Sequence, residues 1–192
     1  LREAGIPVHE MEKAGMSPEE MRLFLPFWQD MEYFPLAVCP VEKEDPFSFA
    51  DTWMEERNYG GKRKHEGCDI FGKAMLSGYY PVISVTDGTV EKVGWLPLGG
   101  WRIGIRSPGG GYFYYAHLSG YGREFQEGEA VKAGELLGFL GDSGYGEEGT
   151  RGKFAPHLHM GLYVRYGSEE EYALNPYPVL VYLKNHTKEI SY

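Results

Sequence analysis

Cysteine is scarce in this chain: there are two, Cys39 and Cys68, in 192 residues. Two thiols do not make a disulfide framework, and we expect separate buried thiols rather than a bridge. No run of about 18 apolar residues occurs, so no membrane-spanning helix is expected. Positive charge is also short. Lys and Arg number 19 against 28 Asp and Glu, a net charge of −9, and no basic stripe alternates with aromatics. That pattern excludes a nucleic-acid backbone as an expected partner and assigns the acidity to solubility. No leader pattern is present. The chain opens at Leu1 rather than Met, so it reads as a processed or cloned piece, with any signal or anchor upstream of it.

Glycine and tyrosine, by contrast, are abundant. The 27 glycines are about twice the usual ~7% share, and they follow no Gly-X-Y period. Fifteen tyrosines raise the aromatic content to 15%, beside 42% hydrophobic and 24% charged residues. This composition predicts a globular domain of short strands and tight turns, and it argues against a helical bundle.

Residues 1–40 read as a helical N-terminal extension. Ser17-Pro18-Glu19-Glu20 is a helix start, with Ser at the N-cap, Pro at the first position and Glu three after the cap. Met21 to Met31 then forms a dense apolar helix interrupted near Pro26. We expect it to pack on the main domain rather than to act as a linker. Residues 41–183 read as an antiparallel β domain, and 184–192 as a tail. Pro81–Val85 and Thr89–Val93, joined at Asp87-Gly88, read as a hairpin. Trp101–Arg106, Tyr112–His117, Ala130–Val131, Leu136–Leu140 and Leu158–Val164 supply further strands.

Chemistry concentrates in four of the six histidines. His65 and Asp69 are separated by an even spacing, which on an extended chain puts both on one face. His157 and His159 share a face in the same way, with Leu158 turned to the other side. Imidazole nitrogen and carboxylate oxygen are ligands that Zn²⁺ accepts, and three of them plus water make an open catalytic site. His117 closes another β-type run. His9 and His186 lie near the chain ends and carry no such context.

Three motifs, His65-Glu66-Gly67-Cys68-Asp69-Ile70, Tyr115-Ala116-His117-Leu118 and His157-Leu158-His159, resemble those of the lysostaphin-type zinc metalloendopeptidases, which cut peptide bonds of bacterial cell-wall peptidoglycan. The likeness covers roughly residues 55–180 and includes Asp87-Gly88-Thr89-Val90 and the Gly128–Gly141 stretch. It implies a mainly β, antiparallel sheet or sandwich catalytic domain. It implies one Zn²⁺ per chain on His65, Asp69 and His159, with His157 and His117 as the catalytic pair beside it. Asn58, Tyr115 and Tyr145 are the expected substrate-side residues, and Trp95 and Trp101 are further candidates for the groove wall. The implied substrate is a stem or cross-bridge peptide, met outside the cell or at the bacterial surface by a monomer. Membrane contact is expected only through an upstream anchor, and the net negative charge argues against wall binding by bulk charge attraction.

Departures are small. Cys68 sits between two expected ligands, where the strand turns it toward the core. No acidic residue follows two places after His159. Two other readings compete. A catalytically silent wall-binding scaffold that activates other wall hydrolases would have no use for five intact groups at 65, 69, 117, 157 and 159. A biotinyl or lipoyl carrier is suggested by the Val131-Lys132-Ala133-Gly134 hairpin, but no Lys stands between methionines at a hairpin tip.

Overall fold

The structure, a computed structural model, describes residues 8–13, 15–38, 40, 45–58, 61–165 and 170–190. The N-terminal part contributes α1 (Val8–Lys13) and α2 (Pro18–Phe24). The β region follows with β1 (Phe47–Phe49), β2 (Glu56–Arg57), β3 (Arg63–Lys64), β4 (Cys68–Gly72), β5 (Pro81–Ile83) and β6 (Gly88–Leu96). Then come β7 (Gly100–Arg106), β8 (Tyr112–Leu118), β9 (Gly120–Tyr121), β10 (Ala130–Val131) and β11 (Leu136–Phe139). The described chain ends with β12 (Leu158–Arg165), β13 (Glu171–Leu174) and α3 (Tyr177–Leu183).

The expected antiparallel β class is what the chain adopts. One large sheet runs β1-β4-β12-β8-β7-β6-β10, with β13 paired to β12. A second sheet, β5-β11-β9, and the small β2–β3 hairpin stand apart from it. Alternation along the strands divides the large sheet into two faces. Ile70, Ile103, Ile105, Phe113, Tyr115, Leu158, Met160 and Leu162 are fully buried on one face. The side chains that alternate with them, Asp69, Arg102, Tyr112, Tyr114, His159 and Tyr163 among them, line a groove on the other.

The 81–93 hairpin does not form. β5 pairs with β11, while β6 pairs with β7 and β10, so the segment between them carries the chain from one sheet to the other. The Asp87 carboxylate is the reason its Asp-Gly is no hairpin tip. It accepts from the Ala133 N–H at 2.8 Å and the Lys132 ammonium at 2.8 Å, which ties it to a turn elsewhere. Gly88 already belongs to the ladder, and a Cβ there would stand 2.5 Å from the Arg106 carbonyl oxygen.

The α2 start carries the full reciprocal cap: Glu20 N–H donates to Ser17 Oγ, and Ser17 N–H donates to the Glu20 carboxylate. The helix is shorter than expected. It ends at Phe24 with Leu25 as its cap, itself still in helical geometry (φ −48°, ψ −44°), because Pro26 has no N–H with which to continue the ladder. A 3₁₀ turn over Trp28–Asp30 follows. Phe24, Phe27, Trp28 and Phe34 are buried in the same core as the sheets, with Phe27 edge-on to Phe113 at 6.0 Å and Trp28 4.8 Å from Tyr182. Met31 and Leu36 bridge to Thr86 and Val82, and Val38 bridges to Glu189 of the C-terminal segment. Cys68 is a free buried thiol whose Sγ–H donates to the Ala50 carbonyl at 3.4 Å, and burial pushes its pKa up to about 12. Its pairing with Cys39 falls outside the described residues.

Candidate metal centre

Strand register brings the first motif onto the third. His159 on β12 stands directly opposite Asp69 on β4 and Ala116 on β8. Their shared face therefore collects His159, Asp69 and, from just ahead of β4, His65. His65 Nε2 lies 3.1 Å from Asp69 Oδ1 and 3.1 Å from His159 Nδ1, and Nδ1 lies 2.9 Å from Oδ1. These separations approach the roughly 3.3 Å edge of a tetrahedron with ~2.0 Å bonds. Two ring nitrogens and one carboxylate oxygen thus aim their lone pairs at a single point. Hydrogen bonds alone serve this triangle poorly, since each imidazole nitrogen carries at most one proton. A cation suits it. The donor set is the N, N, O combination that zinc takes in catalytic sites.

The outward atoms of the donors are also held. His65 Nδ1 lies 3.2 Å from the Thr52 carbonyl and 2.9 Å from the Thr52 hydroxyl. Asp69 turns its second oxygen, Oδ2, to the Arg57 guanidinium, which donates to it at 3.1 Å. Such outer partners orient ligands and set the tautomer. Burial alone would raise the Asp69 carboxyl, but the hydrogen bonds with His159 and His65 outweigh it and hold the group far below the ordinary carboxylate range. Asp69 is an anion at any working pH. Gly67 is the one glycine this arrangement requires for space, since a Cβ there would lie 2.4 Å from His159 Cε1 and 2.6 Å from Nε2. Gly67→Ala is therefore expected to push the His159 ring off the cluster. Elemental analysis should show metal retention falling at least about tenfold while the circular dichroism spectrum stays that of the wild type.

His117 and His157 stand beside the cluster, with ring centroids 4.8 Å apart. Each is fixed the same way. His117 Nδ1–H donates to the Ser143 carbonyl at 2.9 Å, and His157 Nδ1–H donates to the Ala155 carbonyl at 2.8 Å. The lone pair is then on Nε2 of both rings, and His157 Nε2 is 3.6 Å from Asp69 Oδ1. Burial, then the neighbouring histidines, pushes His117 down to about 3, and burial lowers His157 as well. Both rings are neutral proton acceptors near neutrality.

His117 reaches this place through an irregular backbone. Strict alternation after Tyr115 in the core and Ala116 in the groove would send the side chain at 117 to the core. Its φ of +62° and a register shift between β7 and β8 break the alternation there. Bulged, left-handed positions re-aim side chains in this way beside active sites.

The expected substrate-side residues fare differently. Tyr145 lines the groove, a space of about 770 Å³, with its ring 5.8 Å from His117 and its hydroxyl accepting from Arg63 at 2.9 Å. Tyr115 does not line it: the side chain is fully buried in the core and its hydroxyl accepts the Val85 N–H at 2.9 Å. The alternation of β8 gives that position to Tyr114 instead. Asn58 is exposed and borders a smaller cavity of about 160 Å³ at the β2–β3 hairpin, while the preceding residue, Arg57, turns into the groove. Trp95 and Trp101 are not among the groove's lining residues. They pack edge-on at 5.4 Å behind the 141–152 loop, where Trp95 donates to the Gly146 carbonyl at 3.3 Å. Thr52, Phe154, Arg63 and Arg102 went unforeseen. None sits in a motif, and only Arg57, next to Asn58, carried a local signal.

Residues 63–176 match the Peptidase family M23. The chain is 43% identical over 169 residues to an L-Ala--D-Glu endopeptidase of Bacillus subtilis (strain 168), an overlap of 86% of this chain and 49% of that protein. It is 36% identical over 118 residues to lysostaphin of Staphylococcus simulans, covering 60% of this chain and 21% of that one. It thus spans half or less of the length of these curated relatives. A Ruminococcus gnavus ATCC 29149 structure, lytM, named as a candidate glycyl-glycine endopeptidase, aligns at TM-score 0.79 and 55% identity over 87% of this chain and 66% of that one. The catalytic domain of lysostaphin from Staphylococcus simulans aligns at TM-score 0.54 and 30% identity over 70% of this chain and 92% of that domain. The family match runs from β3 to the residue before α3 and takes in His65, Asp69, His117, His157 and His159, so this chain belongs to peptidase family M23.

Proposed function

We propose that this protein is a zinc-dependent endopeptidase that hydrolyses peptide bonds in bacterial cell-wall peptidoglycan, in stem or cross-bridge. The observation that carries the reading is the convergence of His65 Nε2, Asp69 Oδ1 and His159 Nδ1 within 4.8 Å on the floor of an open groove. In this proposal these three residues hold one Zn²⁺, which when bound supplies Lewis acidity and brings the pKa of a water toward ~7. The catalytic unit is residues 41–183, with 1–40 as a helical N-terminal extension and 184–192 as a C-terminal tail, and it works as a monomer outside the cell.

The chain's own residues perform the proton work. The free Nε2 of His157 or His117 takes the proton of the attacking water and later returns it to the leaving amine. A neutral ring with Nδ1–H anchored on a backbone carbonyl is pre-set for the first step, and the charged ring it becomes stabilises the oxyanion of the scissile carbonyl. Tyr145, beside His117, borders the bound peptide.

The test is incubation of purified peptidoglycan fragments with the zinc-loaded protein, followed by mass spectrometry. We expect one new peptide-bond cleavage, abolished by chelator, from a protein carrying about one zinc per chain. A metal-free protein, or a metal-loaded one that cuts no wall peptide, overturns the reading, the second outcome in favour of a silent scaffold.

A further inference from the structure

We infer that Arg102 makes the groove selective for peptides bearing a free carboxylate within one or two residues of the scissile bond, and so for acidic stem peptides over glycine bridges. The inference rests on the endopeptidase reading above. Arg102 lies on β7 opposite Gly94 of β6 and beside the bulged pair Ala116–His117 of β8. Ala116 is in turn paired with His159. One row across the sheet therefore joins the metal cluster to Arg102, two strand spacings or about 10 Å away. That is the distance at which a group flanking the cleaved bond, and not the bond itself, meets a floor side chain.

Most other charges of this groove have partners. Arg57 is held by Asp69 at 3.1 Å, Lys64 by Glu56 at 3.5 Å and Lys92 by Glu127 at 3.3 Å. Arg63 donates from Nη2 to the Tyr145 hydroxyl, while its Nε is buried without an acceptor. Glu171, the acid on the far rim, is taken by Arg106 and Arg165. Arg102 has no ion pair or side-chain hydrogen bond among the described residues. Its Nη1 is moreover buried and without an acceptor. Buried donors of this kind are rare because each carries the desolvation cost of an unmade hydrogen bond. Tyr112 and Tyr114 stand around it in the groove, and burial raises both phenols, that of Tyr112 to about 12, so neither supplies an anion.

A guanidinium presents paired donors that fit a carboxylate in two parallel hydrogen bonds. An oligoglycine strand brings no side-chain charge to meet it. A site built to hydrogen-bond a substrate group discriminates against analogues that lack the group, since its own donor then stays unpaired. Arg102 is a specificity residue in this account and takes no part in the proton transfers.

Four peptides test it on the zinc-loaded protein: an Ala–D-Glu–Lys amide with a free D-Glu carboxylate, its D-Glu carboxamide, that carboxamide with a free C-terminal acid, and pentaglycine amide. We expect kcat/KM to favour a carboxylate peptide over the carboxamide roughly 10- to 100-fold. The third peptide tells whether the carboxylate is that of the D-Glu or of the C-terminus. Arg102→Met should bring the carboxylate and carboxamide peptides together. Arg102→Lys, which keeps the charge without the fork, should retain part of the preference, and it serves alone if the Met variant does not fold. Equal cleavage of all four peptides, or the same loss on charged and uncharged ones, overturns the inference. Titration calorimetry with the same peptides separates the two readings. If nothing is cleaved, the endopeptidase reading fails, and a binding preference for carboxylate that Arg102→Met removes still upholds the subsite, whereas its absence overturns that too.

Discussion

His159→Ala is expected to abolish cleavage, by about four orders of magnitude or more, and to release the metal on dialysis. The ring has no substitute. Its Nδ1 is one corner of a triangle with 2.9 and 3.1 Å sides, and the space behind it is closed by Gly67, which leaves no nearby side chain to swing in. Removing this corner leaves His65 and Asp69, and two ligands do not retain zinc as three do. In the proposed mechanism the metal would bring a water's pKa from about 15.7 toward ~7, and without it that activation would be lost, which accounts for the size of the effect. Elemental analysis and a peptidoglycan cleavage assay read the two effects. A variant that keeps both its zinc and its activity would remove His159 from the ligand set.

His117→Gln is expected to lower kcat by about 10²- to 10⁴-fold while zinc stays bound, because in the proposed mechanism the residue moves protons and does not ligate. A second readout comes from acid stability. Burial, together with His157 and His159, holds the folded-state pKa of His117 at about 3 against 6.5 when unfolded. Between these values the unfolded chain binds the proton and the native chain does not. Native stability therefore rises with pH across that window and falls as the pH drops through it. The slope for one such group is at most about 1.4 kcal/mol per pH unit. Glutamine does not titrate, so the variant should lose this share of the slope between pH 6.5 and 3 in denaturant titrations. An unchanged slope would place the ring in a more open setting than the carbonyl of Ser143 and the rings of His157 and Phe154 give it.

Much of the site could be read from linear spacing because strands translate it simply. Asp69 sits on β4, and its even offset from His65 survives as a shared face. His157 and His159 flank Leu158, whose full burial sends both rings to the groove. The period of two did the work at these positions. It failed at His117, where a left-handed φ breaks it, whereas on β8 it holds and corrects the expectation for Tyr115, sending Tyr114 to the groove and Tyr115 to the core. The tie between Asp87 and Ala133, 46 positions apart, was likewise invisible, so a genuine Asp-Gly signal suggested a hairpin that does not exist. Arg57 ends the two-residue strand β2 and reaches the groove, while Asn58, one residue beyond the strand, does not.

The sequence by itself determined the β class, the capped helix near residue 17 and the donor types brought to the centre, since these depend on local periodicity and on the chemistry of single side chains. Only the tertiary structure decided that β4, β8 and β12 lie side by side in register. That pairing converts motifs about 40 to 90 residues apart into one cluster, because contacts between strands follow hydrogen-bond register and not separation along the chain. It also decided which of the groove's cations are spent on internal carboxylates, and left Arg63, held by the Tyr145 hydroxyl, and Arg102, with no side-chain partner among the described residues, as the guanidinium groups facing the groove without one.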